Sequence, residues 1–177
     1  MRQLLEEKSF QALTVHDITT RASVNRGTFY LHFSDKYALL DDYIREEFQR
    51  VLPAQFLTSP SLNRENTRLL TLTTMDYLAR TYEHCRLADK PIESVLEIAV
   101  QQEIYQVLVK MLKNAQATET SFPASVEMIA TVISWAIFGA GTQWRQGARD
   151  ATLETMAQQV MAMLVNGLSP ILSPFSA

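Results

Sequence analysis

Between Leu13 and Leu40 the chain reads LTVHDITTRASVNRGTFYLHFSDKYALL. This stretch holds a set of side chains suited to gripping a polar partner. Arg26, Thr28, Tyr30, His32 and Lys36 follow closely on one another, with Thr14 and His16 a short distance before them. Guanidinium, ammonium, phenol, hydroxyl and imidazole groups donate hydrogen bonds to phosphate oxygens or to the edges of bases. The chemistry on offer is recognition rather than bond making. The chain has no glycine-rich phosphate loop, no nucleophile elbow and no H-E-x-x-H motif. Cys85 stands beside His84, but neighbours on a helix point ~100° apart and do not pair by adjacency. A structural thiol is the simpler reading. The three histidines have no cysteine or carboxylate partner at ligand spacing, so neither a metal site nor a cofactor is expected.

The local pattern says how these side chains are held. Thr14 followed by Asp17 forms a capping box that starts a helix, and Val15, Ile18 and Ala22 give that helix one apolar face. Ser23, Val24 and Asn25 make a turn, with apolar Val24 expected to plug the space between two helices. Asn25 is a good N-cap for the next helix. There Phe29 and Phe33 share a face, while Gly27, Thr28, Tyr30 and Leu31 face away and Arg26 stands at the N-terminal end. Ser34 is expected to cap a longer helix running through Leu39, Leu40, Tyr43, Ile44 and Phe48 to a stop at Pro53. Two short helices around a tight turn, with an outward polar face on the second, form a helix-turn-helix that can lay one helix in the major groove of DNA.

The remaining chain reads as helices throughout. Residues 53–62 look like a linker with Pro53, Ser59, Pro60 and Ser61. Helices are expected over 63–86, over 92–114 with a possible break near Gln101 and Gln102, over 124–146 and over 152–167. Residues 116–123 read as a polar loop. The run MIATVISWAIFGAG is too short and too interrupted by hydroxyls for a membrane span; a helix buried on most sides explains it better. Gly139, Ala140 and Gly141 would let another helix approach closely, and Met161 and Met163 add adaptable surface. A dimer interface through the last two helices is expected, at Gly139, Gly141, Met156, Val160, Met161 and Leu164. Its competitor is a helix pair buried within one subunit.

Composition agrees with a small head and a larger body. The 177 residues are 47% hydrophobic and carry a net charge of −3, which argues against a general nucleic-acid binder. Residues 15–36 nevertheless hold a small positive excess (Asp17, Arg21, Arg26, Asp35, Lys36) before acids dominate from Asp41 to Glu47. That distribution limits non-specific DNA binding. A single cysteine fits a reducing compartment. Glu6, Glu7 and Lys8 interrupt any opening apolar region, so a cytoplasmic protein is expected.

The sequence resembles the TetR family of transcriptional regulators, most closely over Leu5–Leu40. The resemblance is carried by Phe10, Thr14, Val15, Ile18, Ala22, Val24, the run Gly27-Thr28-Phe29-Tyr30, His32-Phe33, Lys36 and Leu39-Leu40. The run G-T-F-Y-x-H-F-x-x-K is its most specific part. The resemblance implies an all-α protein with an N-terminal three-helix DNA-binding domain over 1–50 and a helical ligand-binding and dimerisation domain over 51–177. Family members usually carry an N-terminal arm and a longer first helix, whereas here the first helix is expected to end at Lys8.

It further implies phosphate contacts at Tyr30, His32 and Lys36, joined by Thr14 and the amides of its helix start. His16 and Asn25 lie on or near the same surface. Arg26, Gly27 and Thr28 stand where side chains reach base edges; Arg26 could pair with guanine or hold a phosphate. Leu31 could meet a thymine methyl or be an ordinary exposed leucine. The implied partners are double-stranded operator DNA with a near-palindromic site, a second copy of the chain and a small molecule. Two C-terminal helix pairs would form a four-helix bundle. The ligand would lie among Met75, Tyr82, Tyr105, Met111, Trp135 and Phe138, with Asp76 or Glu97 favouring a cation. It would release a repressor from DNA. The alternative is a helical ligand sensor with a weakened DNA-binding head that acts through a protein partner.

Overall fold

A computed structural model describes residues 1–84, 90–117, 122–146 and 152–166. The described residues form helices and connecting turns, as the patterning requires. They are α1 (Arg2–Glu7), α2 (Val15–Ala22), α3 (Arg26–His32), α4 (Lys36–Val51), α5 (Ala54–Thr58), α6 (Arg64–His84), α7 (Lys90–Gln116), α8 (Val126–Gln146) and α9 (Leu153–Asn166). None of the described helices is long and apolar enough to cross a membrane.

The chain divides into two compact units. One comprises 1–50 with 80–103, the other 51–79 with 104–177. Within the first unit, Leu4, Phe10, Leu13, Ile18, Phe29, Leu40, Ile44 and Phe48 are buried. The first half of α7 clusters with residues 1–50 in this unit. The contact is polar. Arg45 pairs with Asp41 on its own helix at 2.7 Å and reaches Glu103 of α7 at 3.2 Å. Gln102 accepts a further bond from Arg45, and Gln49 donates to Glu103 at 2.8 Å. The possible break at Gln101–Gln102 is absent, and α7 runs through it.

The second unit is built on α6, the second half of α7, α8 and α9. Leu70, Met75, Leu78, Ile104, Leu108, Met111, Ile137 and Phe138 are buried in it. Residues 53–62, expected as a linker, contain α5 instead. Pro53 takes the N-cap position and Phe56 is fully buried, so one aromatic anchor stabilises a helix that the surrounding proline and serines would not suggest. The segment after it is pinned through Asn66, whose amide donates to the Ser61 carbonyl at 2.9 Å, and through Asn114, which donates to the Pro60 carbonyl at 2.8 Å.

Two faces of α8 differ in kind. Gly141 is turned inward: a Cβ there would stand 2.9 Å from Leu78 Cδ1 and 3.6 Å from Met75 Cγ. Its lack of a side chain lets α8 close on α6 inside one subunit. Val160 and Met161 are likewise buried within the chain, while Met156 and Leu164 are half-buried. Gly139 has nothing within 4 Å of a Cβ position. It shares an open face with Met128, Val132 and Trp135, all exposed, at the spacing of one helical stripe.

Candidate nucleic-acid interface

The helix-turn-helix is fixed by its caps. The Thr14 hydroxyl accepts from the Asp17 amide at 3.2 Å, and the Asp17 carboxylate accepts from the Thr14 amide at 2.8 Å. The Thr14 hydroxyl also donates to that carboxylate at 2.6 Å, so its proton serves the cap. α2 ends at Ser23, in the left-handed region at φ 55°. This conformation lets the Val24 amide turn back to the Thr19 carbonyl at 3.0 Å and closes the helix end. Asn25 then starts α3, its side chain accepting from the Thr28 amide at 2.7 Å. Val24 is exposed rather than plugged between the helices; the buried residues here are Ile18, Thr19 and Phe29.

α3 presents one aromatic inward and the rest outward. Phe29 is buried and Phe33 half-buried, their rings 5.7 Å apart. Arg26, Gly27, Tyr30, Leu31 and His32 are exposed and Thr28 is half-buried. Leu31 is 83% exposed, the most of any large hydrophobic residue described. The Tyr30 ring stands edge-on to Phe29 at 5.3 Å, and the Arg26 guanidinium lies 5.9 Å from the Tyr30 ring centre. Arg26 and Tyr30 therefore lie beside each other, a helical turn apart. His16, on α2, is also exposed.

Lys36 is placed differently from expectation. Its ammonium donates to the carbonyls of Phe10 at 2.9 Å, Gln11 at 3.1 Å and Leu13 at 2.8 Å, and lies 4.8 Å from the Phe10 ring centre. A lysine ammonium has three hydrogens, and three carbonyls take them. The side chain ties the α1–α2 connection to the start of α4. The start of α4 is capped by Asp35, which accepts from the amides of Tyr37 and Ala38 at 2.8 and 2.9 Å. The cap thus lies one residue beyond Ser34.

The other cations of the head are largely paired. Arg21 grips both oxygens of Glu7 at 2.6 and 2.7 Å, and Lys8 meets Asp17 at 2.8 Å. Arg21 holds the Glu7 carboxyl below its ordinary range; Lys8 first, then Thr14, hold Asp17 well below its own. Arg26 has no carboxylate within 4.0 Å among the described residues. The charge available on the α3 face is therefore concentrated on Arg26.

Residues 2–43 match the family model of bacterial regulatory proteins of the tetR family. The family match is confined to this head and does not extend into the body. No group of three or more histidine, cysteine, aspartate or glutamate side chains that could hold a metal ion occurs among the described residues. The head is also similar to an uncharacterized HTH-type transcriptional regulator, YxbF, of Bacillus subtilis strain 168. The two are 35% identical over 43 residues, which span 24% of this chain and 11% of that protein.

Likeness in fold to solved structures extends over the body. The chain is similar to the fatty acid degradation regulator FadR of Bacillus halodurans at TM-score 0.57 and 18% identity, covering 94% of this chain and 91% of that one. It is also similar to FadR of Bacillus subtilis, solved with stearoyl-CoA, at TM-score 0.53 and 19% identity, covering 94% of each.

The residues expected around a ligand divide. Met75, Met111 and Phe138 are buried in the second unit and Tyr105 is half-buried. Trp135 is 48% exposed, its ring edge-on to Phe138 at 6.1 Å, so it belongs to the open face of α8 and not to an interior wall. The side chain of Tyr82 and the whole of Cys85 lie outside the described residues.

Proposed function

We infer that the chain is a homodimeric transcriptional regulator that binds a near-palindromic operator through α3 and is released from it by a small molecule held in the helical body. The DNA-binding part rests on one observation above all. A capped helix-turn-helix exposes Arg26, Gly27, Tyr30, Leu31 and His32 together, leaves Thr28 half-buried beside them and buries Phe29 on the opposite side of the same helix. Arg26, Tyr30 and His32 hold phosphates on the flanks, with His16 and the first turn of α2 nearby. Asn25 and Thr14 keep both helix starts in shape.

The dimer forms through the open stripe of α8, Met128, Val132, Trp135 and Gly139, together with the exposed side of α9 around Met163. Pairing two heads in this way would set half-sites ~34 Å apart or a multiple of it. The ligand would lie among Met75, Tyr105, Met111 and Phe138, whose apolar and aromatic character suits an organic molecule. One structural relative carries stearoyl-CoA, so an acyl thioester is a sensible first compound to try. Any ligand acts only through unequal affinity for two arrangements of the protein. The Arg45–Glu103 pair couples α7 to α4 and would pass such a change to the head.

Binding to a pool of random duplexes against excess non-specific DNA tests the DNA-binding reading. Enrichment of a symmetric sequence is expected. Binding that the competitor abolishes for every sequence would favour a sensor acting through a protein partner.

A further inference from the structure

The α3 face has a polar frame and an apolar centre. With ~100° between successive residues, Gly27 and Leu31 both stand ~160° from the buried Phe29, directly opposite the core. Arg26 and Tyr30 flank them on one side, and Thr28 and His32 on the other, each ~60–100° from Phe29. The row that reaches deepest into a groove thus offers no hydrogen-bonding side chain at all.

Helical side chains lean toward the N-terminus, so the patch covered by Leu31 lies over Gly27. No Cβ crowds it there, and Leu31 is 83% exposed. The flanking polar groups match the phosphates on either side of a groove. The centre matches the one apolar feature on a major-groove base edge, the 5-methyl of thymine.

We propose that Leu31 is a specificity-determining residue that reads a thymine by its 5-methyl group, with Gly27 clearing the space for it. The proposal rests on the reading that α3 enters DNA. It makes the protein sensitive to pyrimidine methylation at one position of each half-site: thymine is bound well, deoxyuridine poorly, and 5-methylcytosine better than cytosine.

The test uses the whole chain and a duplex enriched from a random pool. Each thymine in turn is replaced by deoxyuridine, which keeps every hydrogen-bonding group and removes only the methyl. One thymine per half-site should lose about fourfold in affinity on replacement, the worth of one methyl taken out of water. In Leu31→Ala, a surface change whose melting curve should match the unaltered protein, thymine and deoxyuridine at that position should bind equally. If every replacement leaves the affinity unchanged while the enriched duplex is still bound selectively, DNA reading stands and the role of Leu31 fails. If no duplex is enriched, the DNA-binding reading fails and this proposal falls with it.

Discussion

The ammonium of Lys36 lies 2.8 Å from the carbonyl oxygen of Leu13 and serves the Phe10 and Gln11 carbonyls as well. One side chain thereby closes the chain segment between α1 and α2. Lys36→Ala would leave three carbonyls without their donor. Hydrogen bonds to a charged group are worth about 1.5–3 kcal/mol, and Lys36→Ala should cost the head about 2 kcal/mol. Chemical denaturation of the two proteins checks this. A stability equal to the unaltered chain would assign Lys36 back to the DNA surface.

Arg26 and Tyr30 belong to a flanking row and not to the centre of α3. Arg26→Ala should weaken binding to all sequences alike and lower the salt slope by ~1, the mark of one phosphate contact. Tyr30→Phe should weaken binding without altering sequence preference. Affinity titrations over a salt series, on enriched and scrambled duplexes, distinguish this from base reading. A loss confined to the enriched duplex would place Arg26 on a base.

Much of this head was legible in the sequence because its signals are local. The capping box of Thr14 and Asp17, the cap at Asn25 and the Phe29–Phe33 pair each involve neighbours within one helical turn. What could not be read depends on partners distant in the chain. Lys36 meets carbonyls 23–26 residues away. Gly141 is small because Leu78 of another helix needs the room. Trp135 and Phe138 read alike as large aromatics on an apolar helix, yet one is exposed and the other buried. α5 was hidden because proline and serine outweigh a single buried phenylalanine in any local pattern.

Acid should loosen the head. Folding lowers the pKa of Glu7 through Arg21 and of Asp17 through Lys8 and Thr14. A carboxyl lowered in this way stabilises the fold above its unfolded pKa, and that contribution disappears as pH falls through the folded one. Head stability should therefore decline below about pH 5, and Asp17→Asn should flatten the decline. Thermal melts followed by circular dichroism over this range provide the check; an unchanged pH profile for Asp17→Asn would contradict it.

Gly139 and Gly141 are only two residues apart but should fail differently. Gly141→Leu overpacks the α6–α8 contact and should destabilise the subunit by about 1–3 kcal/mol. Gly139→Leu adds bulk to an open face and should leave the subunit's fold intact while weakening self-association. Light scattering beside thermal melting separates the two effects. A dimer unaffected by Gly139→Leu would move the interface off this stripe.

The central claim is that two α3 helices read one duplex from a symmetric dimer. Hydroxyl-radical footprinting on the enriched duplex tests it most directly. The expected pattern is two protected patches on one face, related by a two-fold axis and spaced by a whole number of helical turns, ~34 Å or a multiple of it. Leu31→Ala and Arg26→Ala should weaken both patches together. A single asymmetric patch, or protection that survives both changes, would contradict the account.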